Sequence, residues 1–288
     1  MIIWLASYPK SGNTWVRTII NELIFRNNDA KDVFNEASTN IRQFPQYTDF
    51  EKPNNFYNEE RTEEVKKKLI EDTIKNWLKL QNKINSDKKI KLFKTHNLLG
   101  KFNINGENYS FTDLENTIGV IHIVRDPRSI ITSLKNHFSL NTEDEAKKMI
   151  IDKNTWSGLK IKKTVPNYFS SWSNHYNSWK RFPKNNLLLK YEEILKDPEN
   201  QIYKIGVYLQ NFFKFEFSDE KIKNIANKTS FSNFKKVEEA GKFYEKTEKG
   251  KKFFFLGPNN VWKEILKKET VNEIEKEFWS EMKELSYI

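Results

Sequence analysis

The stretch IIWLASYPKSGNTWVRTII at residues 2–20 constrains this chain more than any other. Ile2, Ile3, Trp4 and Leu5 form an unbroken apolar run, the pattern of a strand buried on both faces of a parallel sheet. Residues 7–13 contain Pro9 and Gly12, turn-formers suited to a tight bend. From Thr14 onward, Val16, Ile19, Ile20, Leu23 and Ile24 recur at the spacing of a helix with one buried face. Strand, tight loop and helix start together make an anion site, because the first N–H groups of a helix are unpaired and its dipole favours negative charge. Lys10 brings a cation to the loop, and Ser11 and Thr14 bring hydroxyl donors. The nucleoside-triphosphatase loop, Gly-x4-Gly-Lys-Ser/Thr, is absent; here the lysine precedes the Ser-Gly pair. On this stretch alone, a phosphate cradle and a plain βα corner with a solvated lysine both remain open.

The rest of the chain repeats the alternation. Apolar runs at 90–94, 119–124 and 186–191 predict three more strands. Helical spacing predicts helices at 62–80, at 127–138 with Asp126 as cap, and at 165–181 with Tyr168, Trp172, Tyr176 and Trp179 as a buried stripe. Further helices are expected at 199–209, 219–228 and 269–285. Residues 27–58 read as an irregular surface excursion and 235–260, rich in Lys and Gly, as a mobile loop; no boundary is drawn within 141–163. Strands separated by helices, with no repeats and no clear linker, predict a single α/β domain over residues 1–288. Its sheet should be doubly wound and mainly parallel, with sites at the strand C-terminal ends.

Composition narrows the function. A net charge of +10 favours an anionic partner, yet the basic residues are interleaved with 39 acidic ones, so most of that charge is solvated surface. Without cysteine, disulfides and thiolate metal sites are excluded. The chain enters its first strand at once and has no apolar run near the ~20 residues that span a bilayer. A soluble, cytoplasmic protein is the expectation.

Two clusters follow candidate strands. Lys94 and His96, in Lys94-Thr95-His96, stand two apart at a strand end and so face one side, where a neutral imidazole can take a proton from an alcohol. Arg125 closes the third strand and Ser133 lies eight residues on, inside the next helix; a guanidinium fork and a hydroxyl together suit a phosphate. The alternative for Arg125 is an ion pair with Asp126 or another nearby acid.

YPKSGNTW, KTH, HIVRDPRSIITSLKNHF, SSWSNHYNSW, LLLKYEEILKDP and NKTSF occur in that order. The ordered set resembles the sulfotransferases that use 3′-phosphoadenosine 5′-phosphosulfate (PAPS) and release 3′-phosphoadenosine 5′-phosphate (PAP), and it covers nearly the whole chain. The resemblance implies a P-loop-like fold and a PAPS-dependent enzyme that moves the sulfuryl group by in-line displacement. It implies His96 as the catalytic base, with Lys10 and Lys94 on the transferring sulfuryl group and the leaving phosphate. Lys10, Ser11, Gly12, Asn13 and Thr14 would hold the 5′-phosphate, and Arg125 and Ser133 the 3′-phosphate. Tyr191 would contact adenine, Thr229 would hydrogen-bond it, and Trp15 and Phe231 would stack on it. His175 reads as structural. Chemistry resting on positioning and charge requires no metal.

The chain also departs from the family. Asn13 stands where a Thr is common, and Phe255-Leu256-Gly257 stands where Arg-Lys-Gly precedes a Trp, here Trp262. Gly257 keeps a backbone N–H for the 3′-phosphate, and Lys251, Lys252 or Lys263 would have to replace the two missing cations. A flap delivering Lys251 or Lys252 is the favoured expectation. The family's dimer motif is partial: Thr270, Val271 and Glu275 fit while Leu266 replaces a Lys, which leaves a homodimer open. The acceptor, whether small molecule, lipid or glycan, would be set by loops around 40–56, 97–102 and 136–163. Their Tyr47, Phe50, Phe56, Phe102, Phe138 and Trp156 suit a hydrophobic alcohol, a phenol or a stacked sugar. The rival readings are a phosphoryl-transferring kinase and a non-catalytic nucleotide- or nucleic-acid-binding protein. The kinase lacks a Walker lysine and an acid placed to bind magnesium, and phosphate-driven nucleic-acid affinity would fall steeply with salt.

Overall fold

A computed structural model describes residues 1–25, 33–50, 53–243, 252–259 and 261–288. The four expected strands form one sheet: β1 (Ile2–Ser7), β2 (Lys91–Thr95), then, after a small hairpin of β3 (Lys101–Ile104) and β4 (Glu107–Ser110), β5 (Thr117–Val124). Beyond β6 (Trp156–Ser157) and β7 (Asn167–Tyr168), which pair with each other, β8 (Asn186–Lys190) completes it. Their order is β2-β1-β5-β8, and every neighbour pair is parallel.

The continuous apolar run of β1 is explained by burial on both sides. Ile3 and Leu5 face a core shared with α1 (Asn13–Ile24), while Ile2, Trp4 and Ala6 face one that includes Trp77 and Trp179. Those two tryptophans come from α3 (Glu63–Asn85) and α6 (Trp172–Lys180), which follow α2 (Val33–Asn40) and, in the second case, α4 (Pro127–His137) and α5 (Glu143–Ile151). The remaining helices are α7 (Tyr191–Lys196), α8 (Pro198–Gln210), α9 (Asp219–Lys228), α10 (Phe231–Glu239), α11 (Trp262–Ile265), α12 (Lys268–Glu277) and α13 (Trp279–Glu284). Ile202, Ile205 and Leu209 of α8 and Ile222 and Ile225 of α9 complete the first core, so helices cover both faces of the sheet.

Several sequence expectations are corrected. Within the stretch expected as a surface excursion at 27–58, residues 27–32 and 51–52 lie outside the described ones, and the rest is not all surface: Ile41, Phe44 and Tyr57 are fully buried and Phe44 packs on Trp4. The helix expected from 165 begins only at Trp172, capped by Ser171, whose Oγ accepts the Asn174 N–H; residues 165–171 instead carry β7. Ser170 at φ 58° closes that segment and prevents a continuous helix. The C-terminal helix breaks at Phe278, which caps α13 and buries its ring among Trp172 and Ile274. Of the loop expected at 235–260, α10 claims the start, and residues 244–251 lie outside the described ones.

Candidate active site

A cavity of about 510 Å³ opens over the C-terminal edge of the sheet. Lys10, Gly12, Asn13, Thr14, Trp15, Lys94, His96, Arg125, Ser133, Tyr191, Phe231 and Gly257 all line it, although the first and last lie 247 positions apart in the chain. The loop after β1 makes this convergence possible. Gly12 sits at φ 98° against the Tyr191 ring, where an added Cβ would come within 2.6 Å of Cδ2, so this position takes only glycine without strain. No side chain caps α1 and no acid lies in its first turn, which leaves its N–H groups directed at the cavity.

Arg125 reaches across from β5. One Nη1 donates to the Lys10 carbonyl at 3.0 Å and to Ser133 Oγ at 3.3 Å, and the guanidinium lies 4.0 Å over the Tyr191 ring. Its Nε is buried without a partner among the described residues, a donor suited to an incoming anion. The ion pair with Asp126 is not formed; that carboxylate caps α4 and binds Arg128 at 2.7 Å.

His96 donates from Nδ1 to the Ser7 carbonyl at 2.7 Å, and Ser7 Oγ stands 3.3 Å from the same nitrogen. A carbonyl only accepts, so Nδ1 carries the proton and Nε2 carries the lone pair in the neutral ring. Asn13, the departure in the first loop, donates to Ser7 Oγ at 3.1 Å and to the Leu5 carbonyl at 3.2 Å, bracing the loop against the residue that orients His96. Behind His96, a ring nitrogen of the fully buried His175 bonds its backbone. His122 stacks on Tyr176, and burial pushes its imidazole down to about 3.

Two sequence candidates do not line the cavity. Ser11 is fully buried, and Thr229 is buried with its hydroxyl donating to the Ile225 carbonyl while standing 3.4 Å from Trp15 Nε1. Thr229 therefore positions Trp15. Lys252 points away and pairs with Glu239 at 3.3 Å, Lys263 lies over Trp262, and Lys251 is outside the described residues. The aromatics expected to line an acceptor site mostly pack elsewhere: Tyr47, Phe50 and Phe56 around Tyr57, Phe102 on Trp77, Trp156 on Tyr168. Phe138 does line the cavity.

Other lining residues escaped the sequence reading. Arg17 is buried one turn beyond Thr14, a spacing visible in the sequence, and Gln43 has no motif to mark it. Phe253 and Phe254 come from a segment strapped across the cavity. Glu238 accepts both their N–H groups, Asn136 donates to the Lys252 carbonyl at 2.8 Å, and Lys10 Nζ lies 3.8 Å from the centre of the Phe253 ring. Among the described residues, no helix is long and apolar enough to cross a membrane.

The family model described as "Sulfotransferase domain" matches residues 2–286. No curated protein sequence matches the chain. Among solved structures, the chain is similar to retinol dehydratase in complex with androsterone and inactive cofactor PAP, at 18% identity and a TM-score of 0.59, covering 98% of this chain and 80% of that one. It is also similar to retinol dehydratase with retinol and PAP, at 18% identity and TM-score 0.60, covering 98% and 81%. Mouse sulfotransferase SULT7A1 complexed with PAP matches at 18% identity and TM-score 0.54, covering 97% and 83%. At that identity the likeness speaks for the fold: a parallel sheet flanked by helices.

Proposed function

The chain belongs to the sulfotransferase domain family, and on that premise we propose that it moves the sulfuryl group of PAPS onto a hydroxyl or amine of a small-molecule acceptor, with His96 as the base. The hydrogen bond from His96 Nδ1 to the Ser7 carbonyl, in the cavity that also holds Lys10, Lys94 and Arg125, carries this reading. When bound, the donor supplies an activated sulfuryl group with a phosphate as leaving group.

The chain's own residues fit that donor. The uncapped start of α1, with Gly12, Asn13 and Thr14, suits the 5′-phosphate, and the open Nε of Arg125 with Ser133 Oγ suits the 3′-phosphate. Trp15, Tyr191 and Phe231 bring aromatic faces for a flat base, with Gly257 alongside. His96 Nε2 takes the acceptor's proton, and Lys10 and Lys94 set positive charge where negative charge builds. Ser11 and Thr229 act through the shape of the loop and of Trp15. Calorimetry with PAP and transfer from radiolabelled PAPS test the reading; absence of PAP binding, or a preference for ATP, overturns it.

A further inference from the structure

We propose, resting on that reading, that the acceptor is a polyhydroxylated, carbohydrate-like molecule that hydrogen-bonds Gln43. The strand order lays the site out in one direction. Across the C-terminal edge stand Tyr191 after β8, Arg125 after β5, Lys10 after β1, and Lys94 with His96 at β2. Gln43 extends this row by one position, in an isolated parallel bridge to Lys94 on the outer side of β2. Two backbone bonds hold it there, Lys94 N–H to the Arg42 carbonyl and Phe44 N–H to the Lys94 carbonyl, both 2.9 Å. Paired residues of neighbouring strands point to the same side, so Gln43 stands next to Lys94 on the cavity face. The donor groups lie toward β1, β5 and β8. The space beyond the base is therefore the acceptor's.

That space is polar by construction. Gln43 Nε2 donates at 2.9 Å to Asn167 Oδ1, which also accepts from Asn97 Nδ2 at 3.3 Å. Asn167 Nδ2 donates to the Val165 carbonyl at 3.1 Å, and Asn97 Oδ1 accepts the Tyr168 N–H at 2.8 Å. These bonds fix the direction of all three amides and leave Gln43 Oε1 without a partner among the described residues. Ser157, paired with Asn167 across the β6–β7 ladder, lines the same end, and Ser38 and Gln46 also line the cavity. Phe169, edge-on to His96 at 6.4 Å, adds an aromatic face. An apolar alcohol would cover Gln43 Oε1 and the Ser157 hydroxyl beside it and return no hydrogen bond, whereas a sugar ring can stack on an aromatic face and bond both.

The experiment uses the full chain, radiolabelled PAPS, and two sets of acceptors at matched concentrations. One set is lactose, N,N′-diacetylchitobiose and methyl glucoside; the other is a steroid alcohol, a simple phenol and a long-chain alcohol. At least one carbohydrate is expected to be sulfated with a kcat/KM roughly tenfold or more above every apolar acceptor. Gln43→Leu should raise the KM for that carbohydrate by roughly tenfold, the loss of one hydrogen bond, with the PAP affinity unchanged. No transfer to any carbohydrate, or a preference for an apolar acceptor, overturns the proposal. So does an unchanged carbohydrate KM in Gln43→Leu. Loss of PAP binding by the wild-type chain would instead remove the sulfotransferase reading beneath it.

Discussion

The imidazole of His96 is tied through Nδ1, at 2.7 Å, to the carbonyl oxygen of Ser7. The bond joins the ends of two adjacent strands, β2 and β1, and β1 is the strand that leads into the loop carrying Lys10. One contact therefore selects the tautomer of the proposed base and sets its place beside the loop that carries Lys10.

Replacing His96 with Ala should lower kcat by about 10²–10⁴-fold, the usual worth of a positioned general base. PAP affinity should stay within about twofold, because the base acts on the acceptor. Steady-state kinetics at saturating PAPS, paired with PAP calorimetry, separates the two effects. A kcat near the wild-type value would reassign the base.

Arg125→Ala should weaken PAP binding by about 1.5–3 kcal/mol, the loss of charge-assisted bonds, and Lys10→Ala should do the same. The two effects should not add. Arg125 holds the Lys10 carbonyl, and Lys10 sits at φ 68°, a conformation a lysine does not favour unaided. A double variant whose loss equals the sum of the singles would show that the contact carries no coupling.

Discrimination for the 3′-phosphate should survive Lys252→Ala. That side chain is paired with Glu239 and does not line the cavity, so the flap expected from the sequence does not include it in this structure. The ratio of affinities for PAP and adenosine 5′-phosphate should be unchanged in this variant and should collapse in Arg125→Ala. A fall in the ratio for Lys252→Ala would restore the flap.

Acid should destabilise the fold through its buried histidines. His122 is held neutral, its imidazole pushed down to about 3 by burial, and His175 is pushed well below its ordinary value by burial and by the neighbouring His122. Unfolded, each titrates near ~6.5. Below ~6.5 the unfolded chain binds more protons than the folded one, so stability is full above pH ~6.5 and falls as pH drops, for His122 toward about 3, by about 1.4 kcal/mol per unit for each histidine still neutral in the fold. Urea unfolding from pH 7 to 4 should show that slope. His122→Phe, which keeps a ring against Tyr176, should flatten it; an equal slope in the variant would assign the acid sensitivity elsewhere.

Gly12→Ala should cost about 1–3 kcal/mol of stability through overpacking against Tyr191, together with strain at φ 98°. PAP affinity should fall as the loop shifts. A variant with wild-type melting temperature and PAP affinity would mean that the loop and Tyr191 separate without cost.

The motifs of the proposed donor site were legible because they are local. A buried strand, a loop of fixed chirality and a helix start must be contiguous to hold an anion, so YPKSGNTW appears in the sequence as one unit. Lys94 with His96, and Arg125 with Ser133, are equally short-range, each defined by the period of one strand or one helix. Thr229 shows the limit of this reading. Its position in a motif was visible, but whether its hydroxyl faces the cavity or Trp15 depends on how α9 packs against α1.

Strand pattern, helix spacing and the order of short motifs were enough to determine the α/β class, the four strands and most of the residues that line the cavity from β1, β5 and β8, since each rests on contacts within a few positions of the chain. Only the tertiary structure decided what lies on the far side of His96. Gln43 joins the row through one bridge to Lys94, fifty-one positions away, and takes its orientation from Asn167, still farther along. It carries no periodicity of its own. The same holds for the strap, where Glu238 draws Phe253 and Phe254 over the cavity and Glu239 draws Lys252 out of it. Pairings at that separation are chosen by the packing of whole elements, which sets the direction of each side chain after the local pattern has fixed where the elements are.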